Sequence, residues 1–166
     1  MELFRNIFSC LNRKSVTYLV AGGVAVNLYG IERATADLDI VVLLEKSNLE
    51  RFVEAIRELA LKPKLPVKLE DFVDDEKRGS WLTEKNMKVF SLYDPQNPFF
   101  LLDVLIEAPF DIRAMHSRRK ELRFEDTVIP VVAIQDLIAM KEASDRPQDR
   151  ADVFHLRKII EEWKDG

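Results

Sequence analysis

The residues of this chain best suited to chemistry are three aspartates carried by apolar strands. Asp37 and Asp39 stand one residue apart at the start of the β-branched run 38–44, and Asp103 lies within the apolar segment 99–106. Because side chains alternate between faces along a strand, Asp37 and Asp39 point the same way, with Cα atoms roughly 6.6 Å apart. At an effective dielectric constant of about 20, two charges at that distance repel by roughly 2.5 kcal/mol.

A divalent cation would turn this repulsion into attraction, because carboxylate and phosphate oxygens are the usual ligands of Mg²⁺. The chain has only two histidines and one cysteine, so zinc is not expected and a hard cation, Mg²⁺ or Mn²⁺, is favoured. If the strand of Asp103 lies beside the strand of Asp37 and Asp39, the three carboxylates converge. Such a group fits a two-metal site for phosphoryl or nucleotidyl transfer, with ions roughly 3.5–4 Å apart.

A glycine pair supplies a second candidate element of the site. Gly22 and Gly23 lie between the short strand 18–20 and a brief helix that continues to Leu28. Exposed N–H groups at a helix start favour phosphate, and a missing Cβ lets the backbone approach a triphosphate closely. The chain has no P-loop and no Gly-x-Gly-x-x-Gly motif, so those nucleotide folds are not supported.

Each candidate also has a purely structural interpretation. The paired aspartates could be solvated or bound to Arg33, Asp103 could form a buried salt bridge with an arginine, and the glycines could form only a tight turn. In the last third of the chain, Lys141 and Arg146 could pair across helical turns with nearby acids. Those acids are Asp145, Asp149 and Asp152.

Hydrophobic periodicity predicts the elements that position these residues. Helices are expected at residues 2–14, 22–28, 48–61, 134–144 and 148–163, and strands at 18–20, 38–44, 87–93, 99–106, 122–124 and 128–132. The charged segment 68–86 gives no clear pattern. We therefore expect one α/β (α+β) domain over residues 1–166, a small mixed sheet flanked by helices, with a core over about 16–132 and a C-terminal helical pair over about 134–164.

Composition narrows the class of protein and its partners. The 166 residues are 47% hydrophobic and 33% charged, with a net charge of −4 and no apolar run of bilayer length. A lone cysteine and the absence of a signal-peptide pattern predict a cytoplasmic protein without a membrane partner. The basic stretch 113–123 could attract the phosphates of an RNA acceptor or could be a solvated surface. Its basic residues are Arg113, Arg118, Arg119, Lys120 and Arg123.

The spacing of these motifs resembles that of a known superfamily. Gly-Gly, thirteen intervening residues and Asp-x-Asp form a pattern similar to the signature of polymerase-β-type nucleotidyltransferases. The fuller string from Gly22 to Asp39 resembles the small members of that superfamily, including the AbiEii-like, toxin-type branch. The tail agrees, since Lys141-x-Ala143, Arg146, Asp149 and Asp152 resemble the helical signature of that branch. The resemblance covers residues 18–44, 99–107 and 130–156.

The resemblance implies a role for each matching residue. Asp37, Asp39 and Asp103 would bind Mg²⁺ or Mn²⁺, and Asp103 would also help to activate the acceptor hydroxyl. The nucleotide-binding residues would be Gly22, Gly23, Arg33, Thr35 and Lys141. One position departs from the pattern, because Gln148 stands where many relatives have a basic residue.

Two functions are therefore expected as alternatives. In the first, the chain transfers a nucleoside monophosphate from a nucleoside triphosphate to a hydroxyl of RNA, protein or a small molecule. A toxin that modifies tRNA and is held by a cognate antitoxin is one version that the resemblance implies. In the second, the chain keeps the fold but is a weak or inactive enzyme that binds a nucleotide or a partner protein.

Overall fold

The computed structural model describes residues 2–107 and 110–165, and within them the chain forms seven strands and seven α-helices. The strands are β1 (Tyr18–Ala21), β2 (Leu38–Val42), β3 (Lys62–Pro63), β4 (Val89–Asp94), β5 (Asn97–Leu105), β6 (Lys120–Phe124) and β7 (Thr127–Val131). The helices are α1 (Glu2–Arg13), α2 (Gly22–Leu28), α3 (Lys46–Glu58), α4 (Asp75–Glu84), α5 (Ile112–Ser117), α6 (Ile134–Ser144) and α7 (Pro147–Asp165). A 3₁₀ turn at Leu69–Val73 precedes α4.

The strands form one mixed sheet in the order β3-β4-β5-β2-β1-β7-β6. The pairs β2–β5 and β1–β7 are parallel, and the other neighbours are antiparallel. The central strands β1 and β2 are buried on both faces, as their apolar sequences predict. The expected α/β class, with a mixed sheet flanked by helices, is confirmed.

The amphipathic helices bury the faces that their periodicity predicts. The inner face of α1 carries Ile7, Phe8 and Leu11, and that of α3 carries Leu49 and Phe52, all at most 2% exposed. At the far end of the chain, α6 and α7 pack against each other, and α6 also contacts α2. This last contact brings the C-terminal helices to the strand–helix junction that carries the glycine pair.

The charged segment 68–86, whose pattern was ambiguous, is part of the core. Its 3₁₀ turn buries Phe72, which stacks on Phe90 of β4 with ring centroids 4.9 Å apart and meets Phe52 at 5.5 Å. Trp81 of α4 is only 3% exposed and packs against the same rings. The side chain of Asp74 caps α4 by accepting hydrogen bonds from the N–H groups of Glu76 and Lys77.

Most predicted elements occur within a few residues of their expected positions, but helices α4 and α5 and the two-residue strand β3 were not predicted. The strand expected at 38–44 ends at Val42, and the helix expected at 48–61 begins at Lys46 and ends at Glu58. Helix α5 has six residues, which is too short for a periodic pattern, and α4 lies in the charged segment 68–86, which gave no clear pattern. Over the described residues, no helix has the length and apolar character to cross a membrane.

Removing the central ring of the aromatic cluster should destabilise the whole chain. Phe72→Ala deletes a fully buried ring, and we expect it to lower the free energy of unfolding by about 3–5 kcal/mol. The matched control is Phe99→Ala, because Phe99 is 89% exposed and its loss should cost less than about 0.5 kcal/mol. Equilibrium unfolding in urea measures both. Equal effects of the two changes would contradict the placement of segment 68–86 in the core.

Candidate active site

The parallel pairing of β2 with β5 brings two of the three aspartates together. Asp39 stands directly opposite Asp103 in the register of this pair, and Asp37 immediately precedes β2. All three side chains are partly exposed, whereas Leu38 and Ile40 between and beside them are fully buried. The expectation that the two strands are neighbours is confirmed, and the alternation of faces is as predicted.

Asp103 has a neutral partner rather than an arginine. Ser91 lies opposite it on β4, and the Ser91 hydroxyl donates a hydrogen bond of 2.6 Å to Asp103 Oδ1. Over the residues described, no Lys, Arg or His lies within 4.0 Å of the Asp103 carboxylate, so the salt-bridge alternative does not apply. A carboxylate held by one hydroxyl keeps its second oxygen available for a proton or a cation.

Burial and mutual repulsion make Asp39 hard to ionise. Burial, followed by the charges of Asp103 and Asp37, raises the pKa of Asp39 to about 6, although the N–H of Gly23 and the charge of Lys141 act in the opposite direction. Burial and the charge of Asp103 likewise raise the pKa of Asp37. These raised pKa values show that the site disfavours three negative charges, which is the condition that a bound cation relieves.

The donor set therefore fits a hard divalent cation in its chemistry. Carboxylate oxygens are the ligands that Mg²⁺ and Mn²⁺ prefer. Among residues 2–107 and 110–165, no group of three or more acidic, histidine or cysteine side chains is already arranged as a metal site. Ligation by Asp37, Asp39 and Asp103 thus stays a prediction that is supported by their placement and their electrostatics.

The two glycines are required by close contacts with the other motif residues. Gly22 has a φ of +62°, and a Cβ built on it would lie 2.0 Å from Asp39 Oδ2. A Cβ on Gly23 would lie 2.6 Å from Arg33 Nη1 and 2.8 Å from Thr35 Oγ1. The glycines therefore allow the segments 22–23 and 33–39 to pack against each other. Because α2 has only seven residues, its helix dipole adds little, and triphosphate binding by the glycines stays a prediction.

Arg33 and Thr35 support the loop that leads into β2. Arg33 Nη1 lies 3.3 Å from Asp152 Oδ2 of α7, so its ion-pair partner is in the C-terminal helix and not in the Asp37–Asp39 pair. The hydroxyl of Thr35 donates a hydrogen bond of 3.3 Å to the carbonyl oxygen of Asp37. The Nε of Arg33 is buried and has no hydrogen-bond partner among the described residues.

Lys141 lies inside an ion-pair network between α6 and α7. It is 4% exposed, and its Nζ lies 2.8 Å from Asp152 Oδ2 and 3.2 Å from Asp149 Oδ1. Arg146 Nε reaches Asp149 Oδ2 at 2.7 Å, and Gln148 donates to Asp152 Oδ1 at 3.1 Å. The geometry therefore favours the interpretation in which these residues form ion pairs and hydrogen bonds within the protein. Phosphate binding by Lys141 stays a prediction, and it would require Lys141 to turn away from two buried carboxylates.

The basic stretch 113–123 is largely neutralised by local acids. Arg113 pairs with Glu45, Arg118 forms a two-point pair with Asp136 at 2.6 and 2.7 Å, and Arg119 pairs with Glu121 at 2.5 Å. The Nζ of Lys120 lies over the rings of Tyr29 and Trp163. These contacts leave little charge for a nucleic acid, so the structure does not support the RNA contact expected here.

Two residues of the site escaped the sequence analysis. Ser91 bonds to Asp103, and the charge of Lys64 lowers the pKa of Asp37. The turn chemistry at residues 94–98 predicts a hairpin, but counting back from the pair Asp94–Asn97 would place Ser91 opposite Phe100. An irregularity between Tyr93 and Asp94 shifts the register and sets Ser91 opposite Asp103. No sequence signal indicates Lys64, because β3 has only two residues.

Comparison with known proteins gives a family match over most of the chain. The model of the family described as nucleotidyl transferase AbiEii toxin, type IV toxin–antitoxin system, matches residues 11–157. No curated protein sequence matches the chain.

Solved structures show the same fold at low sequence identity. The lincosamide antibiotic adenylyltransferase LnuA, bound to lincomycin, is 15% identical, with a TM-score of 0.62 and coverage of 96% of this chain and 97% of that one. The antibiotic-resistance factor ANT(2″)-Ia is 12% identical, with a TM-score of 0.57 and coverage of 93% and 80%. A candidate nucleotidyltransferase from Thermotoga maritima is 14% identical, with a TM-score of 0.57 and coverage of 97% and 92%. The chain therefore has the nucleotidyltransferase fold that its motifs indicate.

A methyl group at Gly22 should disturb the site more than one at Gly30. Both glycines have positive φ, +62° and +94°, so alanine at either costs about 1–2 kcal/mol in backbone strain. Gly22→Ala also displaces the Asp39 carboxylate, whereas no atom in the described part of the chain lies within 4 Å of a Cβ at Gly30. We expect Gly22→Ala to be the more destabilising change in urea unfolding, by at least about 1 kcal/mol. Equal losses of stability would contradict the close packing of Gly22 on Asp39.

The raised pKa of Asp39 predicts a specific pH dependence of stability. An aspartate with the ordinary pKa of 3.8 in the unfolded chain and about 6 in the folded chain binds its proton more tightly when folded. Its contribution is therefore complete below pH 3.8 and is lost as the pH rises through about 6, which lowers the free energy of unfolding by at most about 3 kcal/mol.

Asp39→Asn keeps the shape of the side chain and removes its titration. In a chelating buffer, the difference in unfolding free energy between Asp39→Asn and the wild type should grow between pH 4 and pH 7 in favour of the variant. Urea unfolding at several pH values measures it. A difference that stays constant across this range would show that burial and repulsion do not act on Asp39 as described.

Proposed function

The chain belongs to the AbiEii nucleotidyltransferase toxin family, and on that premise we propose that it is a metal-dependent nucleotidyltransferase. It transfers a nucleoside monophosphate from a nucleoside triphosphate to a hydroxyl acceptor. The observation that carries the proposal is the register of β2 and β5, which sets Asp39 opposite Asp103 beside the glycine pair. The repulsion that raises the pKa of Asp39 costs stability, and such a cost is typical of functional sites.

The reaction is a substitution at the α-phosphorus of the nucleotide. The acceptor oxygen forms a new bond to the α-phosphorus, the bond from that phosphorus to the bridging oxygen of the β-phosphate breaks, and pyrophosphate leaves. The hydroxyl proton moves to Asp103 or to a water molecule beside it. Asp37, Asp39 and Asp103 would hold Mg²⁺ or Mn²⁺, and such ions neutralise the phosphate oxygens and lower the pKa of the acceptor hydroxyl.

The protein's own residues orient the participants. Ser91 fixes Asp103 through Oδ1, so that its second oxygen can face the acceptor. Gly22 and Gly23 lack a Cβ, so the side chains of Asp39, Arg33 and Thr35 lie directly against the backbone next to which the triphosphate would bind. Arg33 and Thr35 hold the entry to β2 in place, the former through Asp152 and the latter through the carbonyl of Asp37.

We also propose that the chain acts as the toxin of a toxin–antitoxin pair, as the description of its family states. A toxin of this kind needs its transferase activity, so growth should stop when the wild type is expressed in bacteria without an antitoxin. Asp39→Asn should restore growth at the same protein level. Equal arrest by both proteins, at matched levels on an immunoblot, would contradict a toxicity that depends on the site.

Nucleotide binding provides the direct test of the proposed enzyme. A ligand at about one hundred times its dissociation constant stabilises the folded chain by roughly 2.7 kcal/mol. For a chain of this size, that corresponds to a rise in melting temperature of roughly 5–11 °C. We expect such a rise with one nucleoside triphosphate in the presence of Mg²⁺ and not in the presence of a chelator.

Variants assign this shift to the site. Asp39→Asn and Asp103→Asn should abolish it, whereas Asp126→Asn should keep it, because Asp126 lies in the β6–β7 turn, where it pairs with Arg5 and accepts a hydrogen bond from Thr127. The absence of a shift with all four ribonucleoside triphosphates at millimolar concentration would contradict the proposal. A shift without release of pyrophosphate, for any acceptor class, would instead favour a nucleotide-binding protein without transferase activity.

A further inference from the structure

A cleft rich in lysine lies beside the carboxylates, on the side away from the glycines. Its volume is about 320 Å³, within the range of small-ligand sites. Its polar lining consists of Lys64, Lys85, Asn86, Lys88 and Ser91, and none of the aspartates and glutamates in the described ranges lines it. None of these residues belongs to the Gly-Gly, Asp-x-Asp or C-terminal motifs of the sequence.

Hydrogen bonds connect the cleft to the site through neighbouring strands. The N–H of Lys64 donates to the carbonyl oxygen of Ser91 at 2.9 Å, and the hydroxyl of Ser91 donates to Asp103 at 2.6 Å. Asp103 in turn faces Asp39 across the β2–β5 pair. The wall of the cleft and the carboxylate group are therefore parts of one continuous surface.

The three lysines carry charge that the described part of the protein leaves unpaired. All three are exposed, and none has a carboxylate within 4.0 Å among residues 2–107 and 110–165. The arginines of the stretch 113–123 differ, because Arg113, Arg118 and Arg119 each pair with an acid. Positive charges that surround one cleft without acids attract anions and, above all, phosphate.

The order of the strands places this cleft and the glycine pair on opposite sides of the aspartates. In the sequence β3-β4-β5-β2-β1, the aspartates of β5 and β2 lie in the middle. The glycine pair follows β1 on one side, whereas Ser91 of β4 and Lys64, next to β3, lie on the other. If the donor nucleotide occupies the glycine side, the acceptor approaches Asp103 from the lysine side.

We propose that Lys64, Lys85 and Lys88 form a binding site for a phosphate group of the acceptor molecule. This inference rests on the proposed transferase function and names the chemistry of its second substrate. The acceptor carries a phosphate monoester or diester near the hydroxyl that receives the nucleotide. The lysines bind that phosphate while the hydroxyl reaches Asp103. A short polynucleotide and a small sugar phosphate both present this chemistry.

The test compares two variants of equal charge. In Lys85→Gln/Lys88→Gln the cleft loses two charges and keeps Lys64, whose charge acts on Asp37, and in Lys158→Gln/Lys164→Gln two exposed lysines of α7 are changed instead. The probes are a fluorescein-labelled single-stranded RNA of twelve nucleotides, followed by anisotropy, and ribose 5-phosphate, followed by calorimetry with ribose as its unphosphorylated control.

We expect at least one phosphate-bearing probe to bind the wild type, and to bind the cleft variant at least tenfold more weakly than the control variant. For the RNA, the slope of log K against log salt should fall in magnitude by about 1.4 in the cleft variant, since each of the two lost phosphate contacts contributes about 0.7. Binding of the RNA alone identifies a polynucleotide, and binding of ribose 5-phosphate but not ribose identifies a small phosphorylated acceptor. Equal affinities of the two variants, or no binding of either probe to the wild type, would overturn the proposal.

The melting-temperature shift with nucleoside triphosphate and Mg²⁺ separates this inference from the proposed function. The cleft variant should keep the shift of the wild type. A cleft variant that loses it would place the lysines on the donor side and overturn the acceptor assignment. A wild type without any shift would instead refute the transferase proposal, and with it the acceptor role, even where the cleft still binds phosphate.

Discussion

The repulsion between carboxylates at the β2–β5 pair is the constraint to which the rest of the site is adapted. Parallel pairing sets Asp39 against Asp103, and burial together with the neighbouring charges raises the pKa of Asp39 to about 6. The surroundings reduce this cost without removing it. The N–H of Gly23 donates to Asp39, and Lys141 lies near enough for its charge to lower the same pKa. The repulsion between the carboxylates is thus only partly offset, and a divalent cation that binds them together with phosphate oxygens would relieve the remainder.

The C-terminal helices stabilise the site through ion pairs. Lys141 bridges two buried carboxylates of α7, and one of these, Asp152, also receives Arg33 from the loop before β2. Arg33 therefore connects this loop to the C-terminal helices through the carboxylate of Asp152. The side chain of Arg33 also lies where a Cβ on Gly23 would be. The tail signature of the family thus has a physical meaning in this chain: it holds the glycine pair and the entry to β2 in contact.

The sequence predicts the fold and the carboxylate group well because both depend on short-range patterns. Alternation fixes the shared face of Asp37 and Asp39, and apolar runs fix β2 and β5. Contacts between segments that are far apart in the sequence were harder to predict. The resemblance assigns Lys141 to phosphate, but the structure places this lysine between two buried acids. The run of basic residues suggests nucleic acid, but Arg113, Arg118 and Arg119 each pair with an acid. The burial of Phe72 could not be predicted from the charged segment 68–86, because a core formed by a few aromatic rings gives no periodic pattern in the sequence.

Binding of Mn²⁺, which is visible by electron paramagnetic resonance, tests most directly whether the opposed aspartates form a metal site. The chain would be titrated with Mn²⁺ at a saturating concentration of a nucleoside triphosphate analogue that cannot be cleaved between its α- and β-phosphates. The account predicts about two ions per wild-type chain, beyond those bound by free nucleotide, and affinity at least tenfold weaker in Asp39→Asn and Asp103→Asn. Equal stoichiometry and affinity in the wild type and both variants would contradict the proposed metal site. The carboxylates of the β2–β5 pair would then not bind the cation.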